Sequence, residues 1–451
     1  MSDDHQIYNL KLKNGMNCLL VNTKCFNSVT VDVLFKVGSR DEPKNYRGLT
    51  HFAEHMFFKG TKNRPTGRHI SRDIDRYGGK MNATTDYDIT HYFIKIPKNH
   101  YTVAMDVLSD MIFNSSFKEK DIESEKKVVI HELESYNSNP YKNVSKKFGK
   151  TIFKNTTLEY DAGGSIPIIE NATREQFIQY VAHFYQPKNI TLVVIGNFQQ
   201  NGTIKELTSV KKHIRQYFDK TFNYKFDKLA NGKTFSPRTY HPNFQKMQQK
   251  ERFGISIFPS ITQSNVLIGF PAYKYNSKNY DTLLVLSTIL GEGMSSRLFV
   301  NIRSKHGLAY SIGSEVNAIS DLGIFIIQCA SYTDIEKLNK LLQLVCHELV
   351  RLKKGDLQEQ ELQKAKDNVI GSESLSRENN TYLAYLYGYE LLNFNKISNY
   401  QKWKNRINKV SIDSIIKLAN EIFQPNKINI CLTSPKPIKL NQIYKPSYLK
   451  T

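Results

Sequence analysis

Cysteine is scarce in this chain, and its few copies show no pairing pattern. The 451 residues include five cysteines, an odd number, without the C-x-x-C spacing that structural zinc sites use. This argues against a disulfide framework and favours a reducing compartment. The sequence also lacks any apolar run of about 20 residues, the length that a helix needs to cross a bilayer.

Targeting signals are also lacking at the start of the sequence. Residues 1–5, Met-Ser-Asp-Asp-His, have neither the basic and apolar regions of a signal peptide nor the Arg-rich, acid-poor composition of a transit peptide. We therefore expect a soluble protein of the cytoplasm or another reducing compartment, with no membrane partner.

Acidic residues are outnumbered by basic ones. The chain has 63 Lys and Arg against 42 Asp and Glu, a formal net charge of +21. These charges are spread along the chain, with no block of five or six of one sign and no nucleic-acid-binding motif. We therefore expect no nucleic-acid partner. The surplus should favour neutral or acidic substrates over strongly basic ones.

A degenerate repeat divides the chain, which is too long for one ordinary core. Gln186-Pro187 lies between a helical pattern and an apolar strand, and Gln424-Pro425 repeats that arrangement 238 residues later. The apolar runs 31–35 and 266–270 recur at a similar offset. We therefore predict an α+β fold of two homologous halves, each a mostly antiparallel sheet with helices packed on one face. The predicted division is a catalytic half at 1–225, a polar linker at 226–254 and a second half at 255–451.

The segment 48–58 carries the chemistry. Its apolar residues recur at helical spacing before Gly60, which predicts a helix. At about 100° per residue, His51, Glu54 and His55 then share one face. Two imidazoles one turn apart can hold one metal ion, and a carboxylate beside them can reach a water on that ion. The order H-x-x-E-H is the inverzincin signature.

A hydrolytic zinc site needs a third protein ligand and an open position. A second helical pattern offers Glu125 and Glu132, which are seven residues apart and therefore project from nearly one face. Spacing alone does not choose between them, and His131 and Glu134 remain alternatives. Charged residues on a helix also commonly form only its solvated face.

Four motifs resemble the pitrilysin/insulinase family of metallopeptidases, specifically the half-size branch that includes the β subunit of the mitochondrial processing peptidase. They are residues 38–43, 48–61, 78–85 and 125–132. In that family the third ligand follows the second histidine after about 76 residues, which implies Glu132. The resemblance also implies Glu125 as a catalytic group or as the carboxylate that supports a ligand.

Two further pairs are implied by the resemblance as substrate-binding residues. Asn82 and Ala83 lie in the run that resembles the family's peptide-binding edge strand, which recognises an extended backbone. Arg303 and Tyr310, seven apart, resemble the family's pair that binds the substrate backbone and stabilises the oxyanion. Taken alone, Asn82 would be an ordinary hairpin residue, Arg303 a surface arginine and Tyr310 a core tyrosine.

Together these features predict a zinc metalloendopeptidase that cleaves peptides or unfolded polypeptides, with Glu54 as general base. The second half lacks histidine at the corresponding positions 286–293, so we expect one Zn²⁺ per chain. The alternative is a catalytically silent structural or partner subunit of a peptidase-like complex. Because the metal motif and the Arg/Tyr pair occur in one chain, we expect a homodimer, with a heterodimer as the alternative.

Overall fold

The computed structural model describes residues 5–24, 26–198, 204–222 and 235–450. The chain divides into two compact units, each assembled from three separate stretches of sequence. The first unit comprises Met1–Leu133, Ala162–Thr239 and Leu375–Tyr400, and the second comprises Glu134–Asp161, Tyr240–Ser374 and Gln401–Thr451. Part of the predicted linker, residues 226–234, lies outside the described residues.

The elements below are numbered along the chain. The strands of the described residues are β1 (Gln6–Lys11), β2 (Asn17–Asn22), β3 (Ser28–Phe35), β4 (Lys80–Thr85), β5 (Thr90–Pro97), β6 (Ile190–Gly196), β7 (Arg252–Ile257), β8 (Gln263–Ala272), β9 (Ala309–Ala318), β10 (Gly323–Tyr332) and β11 (Asn429–Ser434). The helices of the described residues are α1 (Leu49–Met56), α2 (Gly67–Asp75), α3 (Tyr101–Asn114), α4 (Glu119–Ser138), α5 (Pro140–Ile152), α6 (Ile166–Asn171), α7 (Arg174–Phe184), α8 (Ile204–Phe218), α9 (Phe244–Met247), α10 (Tyr280–Gly291), α11 (Ile335–Lys353), α12 (Glu359–Ser376), α13 (Asn380–Phe394), α14 (Tyr400–Asn408), α15 (Ile412–Ile422) and α16 (Leu440–Ile443).

Each unit contains one sheet with the same central topology. In the described residues the first sheet has the order β1-β2-β6-β3-β5-β4 and the second has the order β7-β11-β8-β10-β9. In both, one strand pair is parallel, β2 with β6 and β7 with β11, and the other pairs are antiparallel. The predicted α+β class with two related, mostly antiparallel sheets is therefore confirmed. The corresponding strands β3 and β8 contain the two apolar runs that suggested the repeat.

The repeated Gln-Pro has a local physical cause. Gln186 donates its side-chain amide to the carbonyl of Ala182, and Gln424 does the same to Asn420. Each glutamine therefore satisfies a carbonyl that the helix end leaves without an intrahelical partner. Proline then begins a short 3₁₀ turn that leads into the strand. The first of these helices, α7, begins with the predicted capping box of Thr173 and Gln176.

The central strands of the first sheet are covered on both faces. The alternate residues Val29, Val31 and Val33 of β3 belong to the main hydrophobic core. Leu34 points to the other face, where it meets Gly388 of α13, and a Cβ at position 388 would overlap Leu34. A helix from the second half of the sequence thus covers the sheet built by the first half.

The second sheet has the reciprocal arrangement. Helix α5, from the first half of the sequence, packs on β7, β8 and β11. Gly269 of β8 allows this close approach, because a Cβ there would overlap the ring of Phe148. Each half of the sequence therefore builds its own sheet, but α5 and α13 each pack on the sheet of the other half. The predicted division into halves did not include this exchange of helices.

The described cysteines and helices carry no sign of a disulfide or of a membrane anchor. Cys18, Cys329, Cys346 and Cys431 are buried free thiols, and Cys25 lies outside the described residues. Burial raises the pKa of each of these four thiols, which disfavours the reactive thiolate. None of the described helices combines the length and the apolar composition that crossing a bilayer requires.

Candidate metal centre

Helix α1 holds the H-x-x-E-H residues at the edge of the core of the first unit. Leu49, Phe52 and Met56 are buried on its inner face, whereas the two histidines and Glu54 are half-buried. The helix begins at Gly48, whose φ of 100° favours glycine. The predicted helix is thus present, and its apolar spacing turns the three polar side chains to one side.

A side chain from outside the helix binds the backbone of its first turn. The Glu42 carboxylate accepts hydrogen bonds from the backbone N–H groups of Gly48 and Thr50, both at 2.7 Å. It thereby satisfies donors that a helix N-terminus leaves without intrahelical partners. Burial of the carboxyl outweighs these hydrogen bonds and raises the pKa of Glu42 to about 8.

Three side chains converge at one point of the first unit. His51 Nε2 lies 3.3 Å from His55 Nε2, and Glu132 Oε2 lies 3.4 Å from His55 Nε2 and 3.9 Å from His51 Nε2. Ligand atoms of a tetrahedral zinc ion at about 2.05 Å lie about 3.3–3.5 Å apart. The residues therefore fit a zinc ion with only small adjustments. This is the one group of three or more potential ligands found among the described residues.

Glu125 backs this group from the preceding turns of α4. Its Oε1 lies 2.9 Å from His55 Nδ1, and its other oxygen pairs with Lys59. Burial would raise the pKa of Glu125, but His55 and Lys59 lower it overall. Burial would likewise lower the pKa of His55, and the nearby carboxylates, Glu125 foremost, raise it overall. A carboxylate at the second ring nitrogen is the usual support of a metal-ligating histidine.

The positions on α4 distinguish the four candidates for the third metal ligand. Glu132 meets both imidazoles and Glu125 meets only His55, whereas His131 and Glu134 are exposed. The turn geometry of α4 accounts for this, since residues 125 and 132 are two turns apart on one face.

Glu54 has a contact that the sequence did not suggest. Thr85, the last residue of β4, donates its hydroxyl to Glu54 Oε2 at 2.6 Å. A hydrogen bond to an ionised carboxylate is stronger than one between neutral groups and fixes its orientation. In the sequence, only the position of Thr85 in the Ala-Thr-Thr run pointed to this contact. The pairing of Lys59 with Glu125 had no signal except that Lys59 follows α1 closely.

The predicted substrate residues of the first unit lie on β4. Among the described strands, β4 pairs only with β5 and so leaves one edge open. Ala83 is buried on the side of α1 and Asn82 is exposed on the other. An open strand edge of this kind can pair with an extended peptide.

Arg303 and Tyr310 belong to the second unit. Arg303 is exposed in a π-helical segment (Phe299–Lys305), with its guanidinium 4.5 Å from the centre of the Phe299 ring. Tyr310, near the start of β9, is 72% exposed. Packing in a core therefore does not account for this tyrosine.

Two family models together match most of the chain. The model described as Insulinase (Peptidase family M16) matches residues 18–164, and the one described as Peptidase M16 inactive domain matches residues 171–369. The first range contains the His51, His55 and Glu132 group.

Curated relatives resemble the chain over nearly its whole length. An uncharacterized zinc protease of Rickettsia bellii (strain RML369-C) is 30% identical, with 92% of this chain and 94% of the relative covered. The uncharacterized zinc protease YmxG of Bacillus subtilis (strain 168) is 29% identical, with 91% and 94% covered.

Solved structures show the same fold. A protease from Helicobacter pylori superimposes with a TM-score of 0.85 at 24% identity, covering 96% of this chain and 100% of that one. A peptidase M16 inactive domain from Pseudomonas fluorescens gives a TM-score of 0.80 at 16% identity, with 96% and 99% covered. Sequence and fold thus agree, and the chain belongs to the M16 (insulinase) peptidase family as one of its half-size members.

Proposed function

We propose that this protein is a zinc-dependent endopeptidase with one metal ion per chain, held by His51, His55 and Glu132. The observation that carries the proposal is the convergence of these three donors at spacings that suit a tetrahedral ion, with Glu125 behind His55. The names of the relatives, which call them zinc proteases, support the choice of metal. Zinc would supply Lewis-acid activation of a water molecule and of the peptide carbonyl.

Glu54 is the general base in this proposal. The helix places its carboxylate on the same face as the two histidines, where it can accept a proton as water attacks the carbonyl carbon. The carboxyl then returns the proton to the leaving nitrogen as the C–N bond breaks, giving a carboxylate and an amine. Thr85 holds one Glu54 oxygen and so directs the other.

The open edge of β4 is the proposed substrate strand. Pairing of an extended peptide with this edge uses backbone hydrogen bonds, which tolerate many side chains. Asn82 and Ala83 lie in the middle of the strand, next to the Thr85 end that reaches Glu54. Unfolded polypeptides and flexible peptides are therefore the proposed substrates.

Arg303 and Tyr310 are proposed to bind the substrate backbone and to stabilise the oxyanion. Their support is the exposure of both polar groups, together with the family resemblance of their seven-residue spacing. We further propose a homodimer, because one chain carries both this pair and the metal-binding residues. A chain that remains monomeric at micromolar concentration in sedimentation and crosslinking would contradict the dimer.

The test of the function compares the wild type with its Glu54→Gln variant. Both should bind about one zinc per chain, and only the wild type should cleave a mixed set of quenched peptides, in a chelator-sensitive way. Zinc binding without cleavage by the wild type would indicate a missing partner subunit. Absence of zinc from both proteins would favour the alternative, a catalytically silent structural subunit.

A further inference from the structure

The two ends of β4 differ in chemistry. Its last residue, Thr85, contacts Glu54 and so marks the catalytic end. Its first residue, Lys80, is exposed on the face that also carries Asn82 and Thr84. A peptide paired with the open edge would therefore run from the catalytic carboxylate past a lysine.

A second lysine lies directly opposite the first. Lys80 pairs in register with Lys95 of β5, and Lys95 is half-buried. Neither lysine has an ion pair with any of the described carboxylates. Burial, and then the charge of Lys80, lower the pKa of Lys95. Like charges opposite each other destabilise a strand pair, so this position would gain from an anion.

The surroundings add positive charge. Arg68 and Arg72 of α2, and Arg76 directly after it, recur every four residues and are exposed, just before β4 in the sequence. Of the two acidic residues on this helix, Asp73 pairs with Arg64 at 2.9 Å and with Arg72 at 3.6 Å, and Asp75 is exposed. The segment 67–80, which leads into the open strand, thus carries four basic residues against two acidic ones and is positive overall.

We propose that the peptidase selects substrates that carry an acidic side chain at a distance from the scissile bond, and that Lys80 and Lys95 recognise it. This rests on the proposed function. A substrate residue that pairs with Lys80 has its side chain on the same face, about 5 Å from the lysine stem. Such a carboxylate relieves the repulsion between the two lysines, and the arginines of α2 attract acidic segments at longer range.

The strand geometry fixes where the acidic residue belongs. Lys80 lies five residues before Thr85, about 17 Å at the rise of an extended strand. The preferred residue is therefore about four to six positions from the cleaved bond, on one side of it only. Because side chains alternate between the faces of a strand, the preference should be strong at one position and weak at its neighbours.

The experiment scans a single Glu, with Gln as its neutral match, along an otherwise uncharged quenched peptide. The ratio of kcat/KM for the Glu and Gln peptides is measured, and binding of the same peptides to the Glu54→Gln protein is measured by fluorescence anisotropy. We expect a ratio of about three to ten at one position at low salt, falling at about 0.5 M NaCl. In the Lys80→Gln/Lys95→Gln double variant the ratio should fall to about one.

Lys13→Gln is the matched control, because Lys13 is exposed in the turn after β1, at the opposite edge of the same sheet. It should keep the wild-type ratio. Equal cleavage and binding of the Glu and Gln peptides would overturn the proposal and leave the peptidase intact. A ratio that persists in the double variant, or that is equal at consecutive positions, would also overturn it. Acid-selective binding without any cleavage would support acid recognition, and the zinc content would then decide between a missing partner subunit and a catalytically silent chain.

Discussion

In each unit a helix packs against the edge strand of the sheet, and we call this contact region the junction. Only the junction of the first unit resembles a catalytic site. Helix α1 contacts β4 in the first unit, and α10 contacts β9 in the second. Between α1 and β4, Thr85 donates to the carboxylate of Glu54, which is half-buried. Between α10 and β9, Ser314 donates to the backbone carbonyl of Ser287, and both serines are buried.

Close packing explains why the second junction carries no metal group among the described residues. Gly291 at the end of α10 approaches the backbone of Ser314 so closely that a Cβ there would overlap it. No side chain, and so no metal ligand, therefore fits at position 291. The comparison teaches that a metal site on this scaffold needs a junction lined by polar side chains and packed less closely. The first unit therefore lacks close contacts that the second unit keeps.

The largest expected effect comes from the ligands. His51→Ala should lose zinc, and the rate of peptide cleavage should fall by at least about 1,000-fold, because two remaining donors bind zinc weakly. His347→Ala, at an exposed histidine of the second unit, should keep both properties. Metal analysis and peptide assays measure this pair. Retention of one zinc per chain by the His51 variant would place the metal elsewhere and remove the contrast between the two junctions.

The next effect concerns Glu42, whose side chain accepts hydrogen bonds from the first turn of α1. The equivalent helix α10 begins at Asn279, which makes no capping hydrogen bond with its side chain. The pKa of Glu42 is raised to about 8 in the folded chain, above the value of about 4.3 expected when unfolded. The unfolded state therefore binds fewer protons between these pH values, and Glu42 costs stability as pH rises through that window. The neutral variant Glu42→Gln escapes this cost.

Denaturant unfolding at pH 5 and pH 8.5 tests this sign. The free energy of unfolding of Glu42→Gln, relative to the wild type, should increase by about 4 kcal/mol between the two pH values. A difference that does not change with pH would show that Glu42 keeps an ordinary pKa. In that case the cap would be an ionised carboxylate stabilised by the helix N-terminus.

A smaller effect on kcat should distinguish the hydroxyl of Thr85 in the first unit from that of Ser314 in the second. Thr85→Val removes the hydrogen bond to Glu54 and should lower kcat by about 10- to 100-fold, because hydrogen bonds to charged groups contribute about 1.5–3 kcal/mol. Thr85→Ser keeps the hydroxyl and should recover most of the rate. In the second unit, Ser314→Ala should change stability by about 1 kcal/mol and leave kcat unchanged. Equal kcat values for Thr85→Val and the wild type would show that Glu54 does not depend on this contact.

The smallest effect compares two helical glycines. Gly388→Ala should destabilise the fold by about 1–2 kcal/mol, because the new methyl group meets Leu34 and Val193. Gly371→Ala, on α12 with no neighbour within 4 Å of the added Cβ, should stabilise it by about 0.5–1 kcal/mol. Thermal or denaturant unfolding distinguishes the two. Stabilisation by both substitutions would show that α13 does not press closely on its sheet.

Local features of the fold were accessible from the sequence. Helix α1, the capping box at Thr173 and the strands after each Gln-Pro all depend on residues within a few positions of one another. The helix period likewise placed His51, Glu54 and His55 together. These predictions succeeded because short-range geometry determines them.

The remaining features depend on packing between distant segments. The spacing on α4 left four candidates for the third ligand, and only the placement of α4 beside α1 brings Glu132 to both histidines. Thr85 and Glu42 reach α1 through tertiary contacts that no local pattern marks. An amphipathic pattern also does not state which sheet a helix will cover, so the exchange of α5 and α13 was not predicted.

That exchange has a consequence for dividing the gene. If the chain were interrupted near residue 240, each fragment would carry a sheet together with the helix that belongs on the other fragment's sheet. Each fragment would keep the core on one face of its sheet but would leave the other face uncovered, so each should be poorly soluble alone. Produced together, they should associate through both borrowed helices at once. The two halves of the sequence should thus fold only together, as two obligate subunits do.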